Sequence, residues 1–122
     1  MERDAMIVAG FGFRGAATVD SLADAYEKAG AAGRLATVLD KVPGVFSEFA
    51  TARHLTIVAV EARDLVRQET VTQSFTSLAE RGTGSVAEAA ALAAAGAGAK
   101  LVKVRVISDD GCATCALAET AE

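Results

Sequence analysis

The chain of 122 residues carries a net charge of −4 at pH 7, and 52% of its residues are hydrophobic while only 5% are aromatic. This length suits a single domain spanning residues 1–122 with one core, and the aliphatic content excludes a disordered chain. The acidic balance argues against a general nucleic-acid binder, and no apolar run approaches the roughly 18 residues that span a bilayer. The start has mixed charge without a signal-peptide pattern, so we expect a cytoplasmic protein with neither nucleic-acid nor membrane partners.

The first half of the chain alternates between strand and helix signals. Thr18 is a predicted N-cap, Gly30 ends the helix that follows, and Pro43 suits the first turn of the next helix. The predicted strands cover residues 6–10, 35–39 and 55–60, and the predicted helices cover residues 19–29, 44–52 and 61–66.

The second half begins with a polar loop over residues 68–73 and a weak helix over residues 74–80. Ser85 and Glu88 form a predicted capping box that opens an alanine-rich helix over residues 86–95. A strand over residues 101–107 has Val102, Val104 and Val106 on one face, and Asp110-Gly111 predicts a hairpin turn into a strand over residues 112–117. The element order predicts a three-layer α/β/α sandwich with a mixed sheet of about five strands and a C-terminal antiparallel hairpin.

The segment GFGFRG, residues 10–15, satisfies the dinucleotide-binding pattern G-x-G-x-x-G letter by letter. It follows a strand, and Asp40 ends the second strand, where a ribose-binding acid would lie. However, the predicted helix cap at Thr18 leaves the helix starting late, and Asp40 lies farther along the chain than the pattern expects. A dinucleotide-binding enzyme is therefore the weaker interpretation. A tight glycine turn that also holds the cation of Arg14 is the stronger one.

A second glycine-rich run, RGTGS at residues 81–85, precedes the alanine-rich helix. Free amides at a helix N-terminus attract anions, and ligands of open α/β sheets bind beyond the carboxyl ends of the strands. We therefore expect the two glycine runs to face one anion-binding crevice. The candidate residues of the second run and of the polar segment before it are Thr72, Gln73, Ser74, Gly82, Thr83, Gly84 and Ser85.

Cys112 and Cys115 form a C-x-x-C pair on a predicted strand. Side chains three apart on a strand point to opposite faces, so a disulfide would require that strand to break. The single histidine, His54, has no neighbouring ligand pattern, so we expect neither a metal nor a cofactor site. Both cysteines are predicted to be buried or half-buried thiols, and no catalytic residue can be assigned.

Four segments resemble the CobE/CbiG C-terminal-domain family of cobalamin (vitamin B12) biosynthesis: GFGFRGAATVDSL, VTQSF, RGTGSVAEAAALAAAGAGAKLV and ATCALAE. They occur in the family's order over nearly the whole chain. The resemblance implies a compact α/β/α domain of the free-standing CobE type that takes part in corrin-ring synthesis. In multidomain CbiG-type proteins the full-length protein opens a ring lactone of a cobalt-precorrin, which leaves a lactone-opening hydrolase as the alternative activity.

The resemblance also implies a ligand for the predicted crevice. Precorrin and corrin intermediates carry many carboxylates around an apolar macrocycle, so we expect such a tetrapyrrole as partner, together with other enzymes of the pathway. Phe11 and Phe13 could contact the ring. Matching motif positions gives as candidate ligand-binding residues Gly10, Gly12, Arg14, Thr72, Gln73, Ser74, Gly82, Thr83, Gly84, Ser85 and Cys115.

Overall fold

The computed structural model describes residues 6–30 and 32–121, and the following account is confined to them. The strands are β1 (Ile7–Phe13), β2 (Arg34–Val38), β3 (Thr56–Val60), β4 (Lys100–Ile107) and β5 (Ala113–Glu119). The helices are α1 (Val19–Ala29), α2 (Val45–Arg53), α3 (Ala62–Leu65), α4 (Phe75–Arg81) and α5 (Val86–Ala95), and a single 3₁₀ turn covers Leu39–Lys41. None of the helices in these ranges has the length and apolar character needed to cross a bilayer.

The strands form one mixed sheet in the order β3-β2-β1-β5-β4. β1, β2 and β3 are parallel, whereas β5 pairs antiparallel with both β1 and β4. Helices α1 and α2 cover one face, and α3 and α5 cover the other. The predicted three-layer α/β/α sandwich with a C-terminal antiparallel hairpin is confirmed.

The two faces of the sheet have different cores because β1 alternates in composition. Its residue Phe11 is fully buried beneath α1 and α2, where its ring contacts those of Phe46, Phe49 and Tyr26. The opposite side of β1 presents glycine at residue 10, and a Cβ built there would lie 2.1 Å from the carbonyl oxygen of Ala87. Gly10 therefore allows α5 to lie directly on the sheet.

This arrangement corrects the prediction of a glycine turn after a short first strand. β1 continues to Phe13, so Gly10 and Gly12 lie within a strand, paired with Ala116 and Thr114 of β5. The glycine pattern does not form a loop that opens a helix, because α1 starts only after the Thr18 cap. The geometry that a dinucleotide fingerprint requires is therefore not present.

Other local predictions differ in detail. Pro43 lies outside α2, whose N-cap is Gly44 with φ +99°. The predicted face of valines on β4 is wrong, because two register shifts interrupt the alternation and leave Val102 and Val104 about half exposed. β4 is one of the two edge strands of the sheet, and such bulges are common at edges.

The predicted hairpin turn between β4 and β5 is confirmed, with Gly111 at φ +74°. It is fastened to α1 by side chains on both elements. Ser21 Oγ donates to Asp110 Oδ2 at 2.5 Å, and Lys28 Nζ contacts Asp109 Oδ1 at 2.5 Å. The hairpin tip is thus held against the N-terminal half of the molecule.

Candidate functional site

A cleft of about 570 Å³ opens at the carboxyl ends of β1 and β2. Phe13 and Arg14 come from the end of β1, Thr37 and Val38 from the end of β2, and Ser85 from the start of α5. Helix α4 forms one further wall, and the β4–β5 hairpin forms another. The cleft lies where open α/β sheets place their ligands, and both glycine-rich segments contribute to it.

The charged side chains that line the cleft are mostly cationic. They are Arg14, Lys41, Arg81 and Arg105, against the single carboxylate of Glu80. The whole chain carries a net charge of −4, so the lining of the cleft has the opposite sign to the chain as a whole. Such a concentration of one sign in a concave surface attracts ligands of the opposite sign.

Two of the four cations have partners that hold them. Arg81 Nη2 lies 3.1 Å from Asp40 Oδ2, and Lys41 Nζ lies 4.7 Å above the ring of Phe13. Within residues 6–30 and 32–121, Arg14 and Arg105 form no ion pair. These two guanidinium groups are therefore the ones most able to bind a carboxylate bidentately.

Neutral hydrogen-bonding groups complete the lining. The N-terminus of the ten-residue helix α5 faces the cleft through its N-cap Ser85, whose Oγ accepts from the Glu88 amide at 3.2 Å. Ser77 also lines the cleft, and its Oγ atom is buried without a hydrogen-bond partner among the described residues. The helix amides and the hydroxyls are suited to oxygen atoms of an anionic ligand.

The structure separates the residues predicted from the sequence into two groups. Those that line the cleft are Gly12, Arg14, Ser74 and Ser85. Those outside its lining are Gly10, Thr72, Gln73, Gly82, Thr83, Gly84 and Cys115. Phe13 lines the cleft as well, whereas Phe11 is fully buried in the core and cannot reach a ligand there.

Most of the second group have roles in the backbone around the cleft. Gly82 is the left-handed C-cap of α4, with φ +72°. A Cβ built on Gly84 would lie 2.4 Å from the carbonyl oxygen of Thr72, so this glycine permits close packing of two loops. Thr83 is buried, and its Oγ1 has no partner in the described part of the chain. These residues support the backbone of the cleft walls and do not themselves form the surface of the cleft.

The two cysteines are free thiols, as predicted. Cys112 precedes β5, is half-buried and lines the cleft. Cys115 is fully buried within the sheet, and this burial raises the pKa of its thiol far above the ordinary value. Cys115 is therefore a core residue.

In the two described ranges, His, Cys, Asp and Glu side chains form no group of three that could hold a metal ion.

Glu88 is the residue that the capping-box prediction misplaced. Its side chain does not return to the Ser85 amide but accepts hydrogen bonds from Val71, Thr72 and Arg105 while fully buried. Burial alone would raise the pKa of Glu88, yet these hydrogen bonds outweigh it and lower the pKa below the ordinary value. The sequence signal that could have indicated this buried carboxylate is a glutamate on the buried face of an alanine-rich helix.

Asp110 at the hairpin tip is a second ordered carboxylate. It accepts hydrogen bonds from Ser108, Ser21 and the amide of Cys112, which together lower its pKa to about 2. The hydrogen bonds place the turn that carries Gly111 and Cys112 along the cleft. Asp110 thus orders one wall without facing the cleft itself.

The fold and the site together define a small α/β/α protein with a cationic cleft at the carboxyl edge of its parallel strands. The family model described as cobalamin synthesis G C-terminus matches residues 7–118. Because this match spans nearly the whole chain, the protein belongs to that family. It is a protein of cobalamin biosynthesis, and the resemblance seen in the sequence is confirmed.

Two solved structures are similar over nearly their full lengths. One is the crystal structure of CobE, described as a protein from the cobalamin (vitamin B12) biosynthetic pathway; it shares 26% identity with a TM-score of 0.82, covering 99% of this chain and 94% of that one. The other is cobalamin biosynthesis protein chiG from Agrobacterium tumefaciens strain C58; it shares 34% identity with a TM-score of 0.71, covering 95% of this chain and 99% of that one. A comparison with curated protein sequences finds no match.

Proposed function

We propose that the protein binds a precorrin or corrin intermediate of cobalamin biosynthesis in the cationic cleft. One observation carries the proposal: four cations and one carboxylate line a concave surface of a chain whose net charge is −4. Tetrapyrrole intermediates of this pathway carry several carboxylates on one macrocycle. A ligand with several carboxylates can engage Arg14 and Arg105 at once, and neither of them has an ion-pair partner in the described ranges.

The cleft also offers apolar surface for the macrocycle. Phe13, Val86 and Ile107 line it, and Ile107 is 46% exposed. The combination of apolar contacts with a few polar anchors is typical of small-molecule sites. A carrier that holds the intermediate in this way could pass it to other enzymes of the pathway, and this transfer is part of the proposal.

The test is a titration of the protein with a metal-free corrin polycarboxylic acid, followed by its visible spectrum. We expect a saturable spectral shift that weakens as salt rises from about 0.1 M to about 1 M, because the Debye length falls from about 10 Å to about 3 Å. A corrin whose carboxylates are converted to amides keeps the ring and should bind much more weakly. Equal affinity for the acid and the amide would refute recognition through carboxylates.

Arg14→Ala should weaken binding of the acid about fivefold, the equivalent of about 1 kcal/mol for one partly screened charge contact. Arg63→Ala is the matched control, since Arg63 is an exposed arginine of α3 outside the cleft lining. Unchanged affinity in Arg14→Ala would remove this arginine from the site. The same samples, incubated with a cobalt-precorrin lactone and assayed for acetaldehyde, test the alternative of lactone opening.

A further inference from the structure

Glu88 is a fully buried carboxylate with four hydrogen-bond donors around it. Its Oε1 atom accepts from the amides of Val71 at 2.7 Å and Thr72 at 3.0 Å. Its Oε2 atom accepts from Thr72 Oγ1 at 2.6 Å and from the Arg105 amide at 3.0 Å. Both oxygens are thereby satisfied, and the loop of Val71 and Thr72 and strand β4 meet at one side chain of α5.

These partners belong to two walls of the cleft. The backbone of Arg105 lies in β4 within the register shift between Lys103 and Val106, and the side chain of Arg105 lines the cleft. The segment of Val71 and Thr72 leads through Gln73 into Ser74, the N-cap of α4, and Ser74 also lines the cleft.

Helix α4 depends on such attachments because its own packing is slight. None of its seven residues is buried, and Phe75 in its first turn is 89% exposed. The described chain holds α4 mainly at its ends, where the Ser74 amide donates to the Gly84 carbonyl at 2.8 Å and Arg81 pairs with Asp40. A segment with few buried apolar contacts opens locally at low cost, so its position is set by the tether that precedes it.

Burial of a carboxylate costs desolvation free energy, and well-packed apolar residues in its place often give equal or greater stability. Its advantage is geometric, because each oxygen fixes its donors in position. Resting on the proposed function, we propose that Glu88 is a positioning residue of the binding site. Its carboxylate fixes the distance between the Arg105 backbone and the segment that precedes α4. Arg105 and α4 can then contact the same bound polycarboxylate.

The test is a double-mutant cycle with the metal-free corrin polycarboxylic acid as probe. In the wild type, Arg105→Ala should weaken binding about fivefold. In a Glu88→Gln background, Arg105→Ala should weaken binding less than twofold, because the NH2 group of the amide cannot accept a hydrogen bond and the side chain can no longer hold both the Arg105 backbone and the segment of Val71 and Thr72. The parallel cycle of Glu88→Gln with Arg14→Ala should be additive, since Arg14 is attached to the hairpin through the Cys112 carbonyl.

Two controls separate positioning from simple loss of stability. Ala94→Gly destabilises the same helix by about 1 kcal/mol without touching the carboxylate, and it should leave the effect of Arg105→Ala unchanged. If Glu88→Gln does not fold, Thr72→Val replaces it, because it removes only the hydroxyl donor to Oε2. Amide hydrogen exchange adds a readout without ligand: in Glu88→Gln, the amides that face the new NH2 group, either that of Arg105 or those of Val71 and Thr72, should lose protection.

The outcomes distinguish this inference from the proposed function. A wild-type protein that fails to bind the corrin acid overturns the proposed function, and the inference with it. Wild-type binding with an additive Glu88–Arg105 cycle overturns the inference alone. Non-additivity confined to the Arg105 cycle supports it.

Discussion

Replacing Gly10 by alanine tests the packing of α5 on β1. A Cβ at this position would lie 2.1 Å from the Ala87 carbonyl oxygen, 2.3 Å from the Ala91 amide nitrogen and 2.8 Å from the Ala91 Cβ. All three are too close for non-bonded atoms, and two of them belong to backbone that no side-chain rotation can move. The whole helix must therefore retreat from the sheet.

The size of the effect follows from this geometry. Overpacking a core lowers the free energy of unfolding by about 1–3 kcal/mol. Because Gly10→Ala must displace a helix backbone, we expect a loss of about 3 kcal/mol. The native state of a domain this size is stable by only about 5–15 kcal/mol, so the loss is a large fraction of the total. With about 3–5 °C lost per kcal/mol, Tm should fall by roughly 10–15 °C.

The other glycines of the same pattern are the controls. A Cβ on Gly15 meets no atom within 4 Å, so Gly15→Ala should leave the free energy of unfolding within about 0.5 kcal/mol. Gly12→Ala should lie between the two, because its Cβ would be 3.0 Å from Thr114 Oγ1. Urea unfolding and thermal melts of the three variants give the ranking. A Gly10→Ala protein that melts within about 2 °C of the wild type would refute the packing argument.

Three further predictions concern ionisable groups. The lowered pKa of Glu88 means that its ionised form stabilises the fold above the ordinary value of 4.5, and that this contribution is lost as pH falls through the folded-state pKa. Urea titrations from about pH 6 to about pH 3 should therefore show a steeper loss of stability in the wild type than in Glu88→Gln, and parallel curves would contradict this. For Asp110, with an ordinary pKa of 3.8 and a folded-state pKa of about 2, the stabilisation is complete above pH 3.8 and disappears as pH falls through about 2. Asp110→Asn should accordingly be less stable than the wild type at pH 7, with the difference shrinking in that acid range. A thiol reagent should label Cys112 in the native protein and reach Cys115 only after unfolding, because burial both covers the Cys115 sulfur and raises the pKa of its thiol.

Local signals in the sequence predicted much of the fold. Thr18 caps α1, and the helix runs from Val19 to Ala29 and ends at Gly30, as expected from its cap and its periodicity. The Asp110-Gly111 turn also follows from short-range chemistry. Such features depend on residues within one turn of each other, and a single sequence displays them directly.

Where a residue faces two environments, the sequence was ambiguous. The pattern of Gly10 and Gly12 favoured a tight glycine turn over a dinucleotide-binding loop, and only the position of α5 showed a close strand–helix contact instead. The alternation of valines on β4 predicted one buried face, but the register shifts of an edge strand interrupted it. Ser85 does cap α5, whereas Glu88 leaves the capping box because the donors of Val71, Thr72 and Arg105 surround it.

The sequence by itself determined the order of the elements, their caps and turns, and the family, because these rest on neighbouring residues and on motifs. Only the tertiary structure decided which side chains form the site. Arg14, Lys41, Arg81 and Arg105 are spread over most of the chain, and they share a cleft because parallel strands end at one edge and the hairpin folds back beside them. The hydrogen-bonding role of Glu88 was likewise decided by the tertiary structure. Its partners lie 16 and 17 residues away in the sequence, and packing brings them to its carboxylate.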